Sequence, residues 1–239
     1  MRLLLIRHAQ TPANVLGLLD TAHPGPGLTA LGERQADAAA EALRARHIDG
    51  VFASTLVRTQ LTALPFAPAT VIDGLHEIEA GDLEGRSDRA SARTYLETAF
   101  AWGSGDLDVT MPGSTDGHAF FERFDRGINT VARVGVAAVF SHGAAIRVWT
   151  AARARNVPPI FAGSHYLDNT GVVELDGSPE HGWTLISWAG TPVGGPFLTD
   201  ESAGDPTGDA VGGSAAPPRP VSWTGGGRAG SNRGDQPEP

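Results

Sequence analysis

The chain has 239 residues, 41% hydrophobic and 19% charged, which is the composition of an ordinary globular protein. Its net charge is −9 and all 18 of its Lys-plus-Arg positions hold arginine, so nucleic acid is not an expected partner. Cysteine is absent, which excludes disulfides, thiolate catalysis and cysteine-bound zinc. Neither a membrane-spanning run nor a leader pattern is present, so no membrane partner is expected and the cytoplasm is the expected location.

A short apolar run opens the chain and ends abruptly in polar residues. Residues 3–6 are Leu-Leu-Leu-Ile, and Arg7 and His8 follow them. This pattern predicts a buried strand whose carboxyl end opens into a loop, the place where open α/β sheets bind ligands. Arginine offers a planar fork of donors for phosphate oxygens, and histidine offers a nucleophile, acid or base near neutral pH.

A helix and a second strand are predicted after a long loop. Residues 12–27 are rich in glycine and proline, which indicates turns. Thr29 is the expected N-cap of a helix that ends near residues 46–47. Residues 51–53 are Val-Phe-Ala and predict the second strand.

The next helix is expected to bind an anion near its start. Ser54 or Thr55 is the predicted cap, and Pro65 ends the helix at about Leu64. Arg58 then lies in the first turn, where a cation opposes the helix dipole. A bound anion explains an arginine at this position better than helix stability does.

The middle of the chain combines acidic residues with two further helices. After a predicted strand at 70–72, the loop at 75–85 holds several carboxylates, and composition does not say which one is a proton donor. Helices are predicted at 89–102 and 115–134. We interpret the region of about 86–134 as an inserted cap or lid, where substrate choice is often made.

A second histidine follows another predicted strand. Residues 136–140 are Val-Ala-Ala-Val-Phe, followed by Ser141, His142 and Gly143, where a helix begins. His142 therefore occupies the same topological position as His8. Strands at 172–175 and 183–188 complete the predicted domain of residues 1–193. The Gly/Pro-rich residues 194–239 are expected to form a disordered tail.

Together these segments resemble the histidine phosphatase superfamily, which has the phosphoglycerate mutase-like fold. Arg7-His8-Ala9-Gln10-Thr11 with Asn14 is similar to the family's Arg-His-Gly-Glu/Gln-Thr signature and its following Asn. The similar segments that follow are Ser54 to Thr59 for the second phosphate-binding arginine, Leu75-His76-Glu77 for the catalytic acid, and Ser141-His142-Gly143 for the second histidine. The resemblance implies a three-layer α/β/α sandwich around a mostly parallel sheet.

The resemblance also implies a function. It implies a phosphomonoester hydrolase that acts on a small phosphorylated metabolite through a phosphohistidine, without metal or other cofactor. His8 would be the nucleophile and Glu77 the proton donor. The implied phosphate ligands are Arg7, Asn14, Arg58 and His142.

Two alternatives remain open at this point. A cofactor-dependent phosphoglycerate mutase would use the same nucleophile, but such mutases have a Trp-Asn pair where this chain has Ala13-Asn14. A non-catalytic phosphate-binding module is the other, supported by Ala9 in place of the usual glycine. Alanine at that position would be strained if it needed a positive φ. The sequence does not indicate the particular substrate or the oligomeric state.

Overall fold

A six-stranded sheet forms the centre of the protein in a computed structural model that describes residues 1–208. The strands are β1 (Arg2–Arg7), β2 (Gly50–Ala53), β3 (Thr70–Val71), β4 (Val136–Ser141), β5 (Val172–Ser178) and β6 (Gly182–Ala189). They lie in the order β3-β2-β4-β1-β5-β6. β1, β2, β3 and β4 run parallel, and β5 and β6 add an antiparallel edge. The predicted α/β class with a mostly parallel sheet is confirmed.

Helices cover both faces of the sheet. They are α1 (Pro12–Leu16), α2 (Ala30–Leu43), α3 (Val57–Ala63), α4 (Arg89–Gly103), α5 (Gly117–Val131), α6 (Gly143–Arg153) and α7 (Phe161–Ser164). Leu3 and Leu5 of β1 join the larger core with α4, α5 and α6, whereas Leu4 and Ile6 join a smaller core with α2 and α3. Because neighbouring strand residues point to opposite faces, a strand between two helical layers is apolar throughout.

The helices of the expected cap region are part of the main core. Trp102 of α4 stacks on Phe120 of α5 with 5.9 Å between ring centroids, and Phe124 of α5 lies 5.8 Å from Trp149 of α6. Residues 86–134 therefore contribute α4 and α5 to the helical layer that also contains α6. Their part in substrate choice stays a prediction.

Local capping chemistry was predicted correctly for one helix and incorrectly for another. Thr29 is the N-cap of α2 and accepts a hydrogen bond from Gly32 N at 3.0 Å. The N-cap of α3 is Leu56, which gives no side-chain cap, so the expected cap by Ser54 or Thr55 is wrong. Ser54 instead hydrogen-bonds His142, 88 residues away in the chain.

A short helix lies inside the segment predicted to be a loop. Thr11 and Asn14 form a capping box at the start of α1, and Gly17 closes the helix with φ 66°. The box satisfies the first backbone N–H groups. With only five residues, α1 is shorter than the window over which hydrophobic periodicity is visible.

The predicted boundary of the tail differs from the structure. Residues 194–208 pack on the domain, with a 3₁₀ turn at Pro196–Leu198 and Leu198 buried. Disorder beginning at residue 194 is therefore wrong for this stretch, because its polar groups find partners in the domain. Residues 209–239 of the expected tail lie outside the described residues. Within residues 1–208, no helix is long and apolar enough to cross a membrane.

Replacing Phe124 tests whether α5 belongs to the main core. Phe124 is fully buried, so Phe124→Ala is expected to lower the free energy of unfolding by about 3–5 kcal/mol in urea titrations. Phe197→Ala is the matched control, because that ring is 78% exposed and its loss is expected to cost less than about 0.5 kcal/mol. A small, local effect of Phe124→Ala would instead support a cap that folds separately.

Candidate functional site

The two histidines meet because their strands are neighbours. β1 and β4 pair in parallel with Arg7 opposite Ser141, so the next residue of each strand, His8 and His142, leaves the sheet at the same edge. Their ring centroids lie 5.2 Å apart. The two histidines, each of which follows a strand in the sequence, are therefore neighbours in the folded protein.

Local contacts determine which nitrogen of His8 carries the proton. His8 Nδ1 lies 2.8 Å from the carbonyl oxygen of Ala9, and since a carbonyl only accepts, Nδ1 is the donor. Nε2 then keeps its lone pair. Asn169 donates to the His8 carbonyl oxygen at 3.0 Å, and the Ala9 N–H donates to Thr62 Oγ1 at 2.9 Å. The reactive loop is therefore fixed on both sides.

Alanine after His8 is not strained. Among residues 1–208, Thr170 is the non-glycine residue with a positive φ, so Ala9 does not need the conformation that favours glycine. Ala9 therefore gives no structural reason to suspect a distorted loop around His8.

Both histidines are held neutral. Burial lowers the pKa of His8 well below its ordinary value, and the charges of Arg58 and Arg7 lower it further. Burial, followed by the charge of Arg58, does the same to the pKa of His142. Neutral imidazole is the form that has a lone pair available for nucleophilic attack.

Arg58 already contacts a carboxylate. Its side chain is 2% exposed, and it donates to Asp20 Oδ2 at 3.3 Å and to the Asp20 carbonyl oxygen at 2.8 Å. Burial raises the pKa of Asp20. Asp20 therefore supplies part of the negative charge that was predicted near the start of α3. The sequence patterns did not indicate Asp20.

The Glu77 carboxylate lies at the amino terminus of α6 and accepts hydrogen bonds there. Its Oε1 accepts from Ala145 N at 2.8 Å and from Ile78 N at 2.9 Å, and its Oε2 accepts from Ala144 N at 3.2 Å. Burial raises the pKa of Glu77, while these backbone donors act in the opposite direction. A buried carboxyl group with a raised pKa is suited to proton donation.

Arg123 of α5 fixes the loop that carries Glu77. Its guanidinium donates to the carbonyl oxygens of Gly74, His76 and Glu77 at 2.6–2.8 Å. Burial lowers the pKa of Arg123 to about 10, so it remains charged at neutral pH. The sequence patterns gave no indication of a role for Arg123.

Arg7 and Asn14 face residues that were assigned to the tail. Arg7 donates to the Leu167 carbonyl oxygen at 2.7 Å and forms a 2.5 Å ion pair with Asp205. Asn14 Nδ2 donates to Asp205 Oδ1 at 3.3 Å. Asp205 was not predicted, because nothing in its neighbourhood of the sequence marks it as part of a site.

A small cavity connects most of these side chains. Its water-accessible volume is about 10 Å³, so it has room for little more than one water molecule as it stands. Its lining residues are His8, Thr11, Ala13, Asn14, Leu18, Asp20, Arg58, Glu77 and Thr207. Arg7 and His142 lie beside it in the same network.

Several buried polar atoms at this end of the sheet have no hydrogen-bond partner. They are the Nε groups of Arg7 and Arg58 and a ring nitrogen of His142, Nδ1. Unpaired buried polar groups are rare and call for an explanation such as a ligand. Within residues 1–208, no group of three or more His, Asp or Glu side chains is arranged to hold a metal ion. The site therefore has the chemistry of an anion-binding pocket with a neutral histidine and a buried acid.

These features define an α/β protein with a histidine-based anion site at the carboxyl ends of parallel strands. The sequence profile of the Histidine phosphatase superfamily (branch 1) matches residues 3–191. The chain belongs to this superfamily.

The chain is similar to two proteins in sequence and to one solved structure in fold. PE-PGRS family protein PE_PGRS11 of Mycobacterium tuberculosis (strain ATCC 25618 / H37Rv) is 41% identical over 79% of this chain and 36% of its own length. Adenosylcobalamin/alpha-ribazole phosphatase of Escherichia coli (strain K12) is 37% identical over 54% of this chain and 65% of its own. The chain thus spans less than two thirds of either relative. A mycobacterial glucosyl-3-phosphoglycerate phosphatase structure shares the fold, with TM-score 0.66, 22% identity and coverage of 80% of this chain and 99% of that one.

The neutral histidines predict a pH-dependent stability. Because their pKa values are lower in the folded protein than in the unfolded chain, the unfolded chain binds protons first as the pH falls below about 6.5. The free energy of unfolding should then decrease by up to about 1.4 kcal/mol per pH unit for each histidine. In His8→Asn, urea titrations from pH 7 to pH 5 should show a shallower decrease than in the wild type.

His47→Asn is the control for this measurement. The His47 side chain is 83% exposed, so this variant should keep the wild-type slope. Glu77 is present in all three proteins and cancels from the comparison. Equal slopes in the wild type and His8→Asn would show that His8 is not held neutral by the fold.

Proposed function

We propose that this protein is a metal-independent phosphomonoester hydrolase that acts on a small phosphorylated metabolite through a phosphohistidine on His8. The observation that carries the proposal is that His8, Arg58 and Glu77 line the same small cavity, in which Nε2 of His8 keeps its lone pair. Phosphoryl transfer requires mainly positioning and charge stabilisation, and these residue types supply both.

The first step forms the covalent intermediate. The Nε2 lone pair of His8 attacks phosphorus while the bond from phosphorus to the leaving oxygen breaks. Glu77, whose pKa is raised by burial, donates its proton to that oxygen, so the product leaves as a neutral alcohol. The hydrogen bond from Nδ1 to the Ala9 carbonyl orients the ring for this attack.

The second step returns the enzyme to its starting state. The Glu77 carboxylate takes a proton from water, the water oxygen bonds to phosphorus, and the bond from phosphorus to Nε2 breaks. Inorganic phosphate is released. Arg7, Arg58, His142 and Asn14 hold the phosphoryl oxygens in both steps, and the unpaired Nε groups of the two arginines supply donors for them.

The relatives support hydrolysis over the mutase alternative. The Escherichia coli relative is named a phosphatase, and so is the mycobacterial protein that shares the fold. A non-catalytic module is not favoured, because His8, Glu77 and both arginines are present and Ala9 is unstrained. The cytoplasmic location and the absence of nucleic-acid and membrane partners stay predictions from the sequence.

Turnover of phenyl phosphate with a chelator present tests the proposal. The wild type is expected to hydrolyse the ester and to gain the mass of one phosphoryl group in quenched samples. His8→Ala should lose both signals, whereas His47→Ala should keep them because His47 is exposed. Chelator-sensitive turnover, or turnover that survives in His8→Ala, would contradict the mechanism. Phosphoglycerate interconversion without net hydrolysis would identify the mutase.

The role of Glu77 predicts a dependence on the leaving group. Phosphoenzyme formation by Glu77→Gln should fall about 10²–10⁴-fold with phenyl phosphate, whose leaving group needs a proton. With 4-nitrophenyl phosphate the fall should be much smaller, because that leaving group departs as an anion. Rapid-quench measurements of the first turnover provide the comparison.

Glu79→Gln is the matched control for this prediction. Glu79 lies two residues away on the same loop, and its side chain is 47% exposed. It should retain the wild-type rates with both esters. An equal loss for both esters in Glu77→Gln would show that Glu77 supports the site without donating the proton.

A further inference from the structure

An acidic segment lies over the carboxyl ends of the parallel strands, where phosphate is proposed to bind. We call residues 199–208 the acidic strap; it carries Asp200, Glu201 and Asp205 and has no basic residue. The 3₁₀ turn at Pro196–Leu198 precedes it. Its charge is complementary to the arginines of the site, which stand out in a chain of net charge −9.

Asp205 contacts two of the side chains that are proposed to bind phosphate, Arg7 and Asn14. Its Oδ2 lies 2.5 Å from an Arg7 guanidinium nitrogen, and its Oδ1 accepts from Asn14 Nδ2 at 3.3 Å. Carboxylate and phosphate oxygens compete for the same guanidinium donors. The Asp205 carboxylate and a phosphate therefore exclude each other at these donors.

Thr207 extends the strap to the cavity itself. Its Oγ1 accepts from Arg7 at 3.0 Å, and its carbonyl oxygen accepts from Arg147 at 2.9 Å. A Cβ on Gly143 would lie 2.7 Å from that carbonyl oxygen, which shows how closely the strap covers the start of α6. Thr207 also lines the cavity that contains His8.

Polar contacts hold the strap in place. Asp200 accepts from Gln10 at 2.9 Å, and Gly208 accepts from Leu167 N at 3.0 Å. Ala203 and Pro206 are the apolar residues between 199 and 208, and the large buried anchor Leu198 lies outside that stretch. Residues 205–208 are buried, but they contact the site through polar groups, so departure of the strap would expose little apolar surface.

We propose that the acidic strap is an autoinhibitory element in which Asp205 occupies the phosphate subsite until a substrate phosphate displaces it. The proposal rests on the proposed function, because it takes Arg7 and Asn14 as phosphate ligands. A phosphate dianion carries more charge than one carboxylate and reaches Arg58 as well, so it is the stronger ligand of the two arginines. A tethered carboxylate competes at an effective concentration of about millimolar.

Binding of inorganic phosphate to the full-length chain tests the strap. Asp205→Asn and Asp205→Ala are expected to bind phosphate about tenfold more tightly than the wild type in calorimetry, because the competing anion is lost. The Michaelis constant for phenyl phosphate should fall by a similar factor. Glu201→Gln is the matched control: it removes one charge from an exposed position of the strap and should leave both values unchanged.

A second measurement follows the strap directly. Saturating inorganic phosphate should increase amide hydrogen exchange at residues 200–208 in the wild type. Unchanged or slower exchange there would overturn the proposal. So would weaker or unaltered phosphate binding by both Asp205 variants, which would mean that Asp205 only holds Arg7 in position.

The two proposals fail in distinguishable ways. Tighter phosphate binding by the Asp205 variants without turnover in any protein would support the strap and contradict hydrolysis. Turnover that requires His8, with equal phosphate affinity in all proteins, would support hydrolysis and contradict the strap. The absence of phosphate binding in every protein would overturn the strap proposal.

Discussion

Two arginine side chains, Arg7 and Arg58, are buried at the carboxyl end of the parallel strands. Many contacts of the site follow from the need to pair these buried charges. Arg7 is fully buried and Arg58 is 2% exposed. Desolvating a cation costs several kcal/mol, so it must be surrounded by anions and carbonyl oxygens. Asp20 meets Arg58, while Asp205 and the Leu167 carbonyl meet Arg7. Burial, and then the charges of Arg58 and Arg7, lower the pKa of His8 and keep it neutral.

The amino terminus of α6 lies at the same end of the sheet. Its first N–H groups have no partner within the helix, and the Glu77 carboxylate accepts from those of Ala144 and Ala145. This helix end therefore positions Glu77, and in the proposed mechanism the phosphate is bound by side-chain donors. Arg123 holds the Glu77 loop from α5, which explains why α5 has to be packed firmly into the core.

Much of the architecture was predictable because its signals are local. The apolar run before Arg7 identifies a strand between two layers, and Thr29 carries its own capping chemistry. The same local logic predicted Ser54 or Thr55 as a helix cap, yet the Ser54 hydroxyl contacts His142, which follows the neighbouring strand. It also assigned residues 194–208 to a disordered tail, because a Gly/Pro-rich composition says nothing about polar partners elsewhere in the chain.

The order of residues along the chain was enough to identify the candidate site residues and to predict that His8 and His142 follow buried strands. Tertiary structure decided which of them meet: the parallel pairing of β1 and β4 joins the histidines, and the antiparallel edge leads the chain back so that Asp205 reaches Arg7. The physical reason is separation along the chain. Strand and cap signals depend on neighbouring residues, whereas charge pairing depends on distance in space, which only the packed sheet defines.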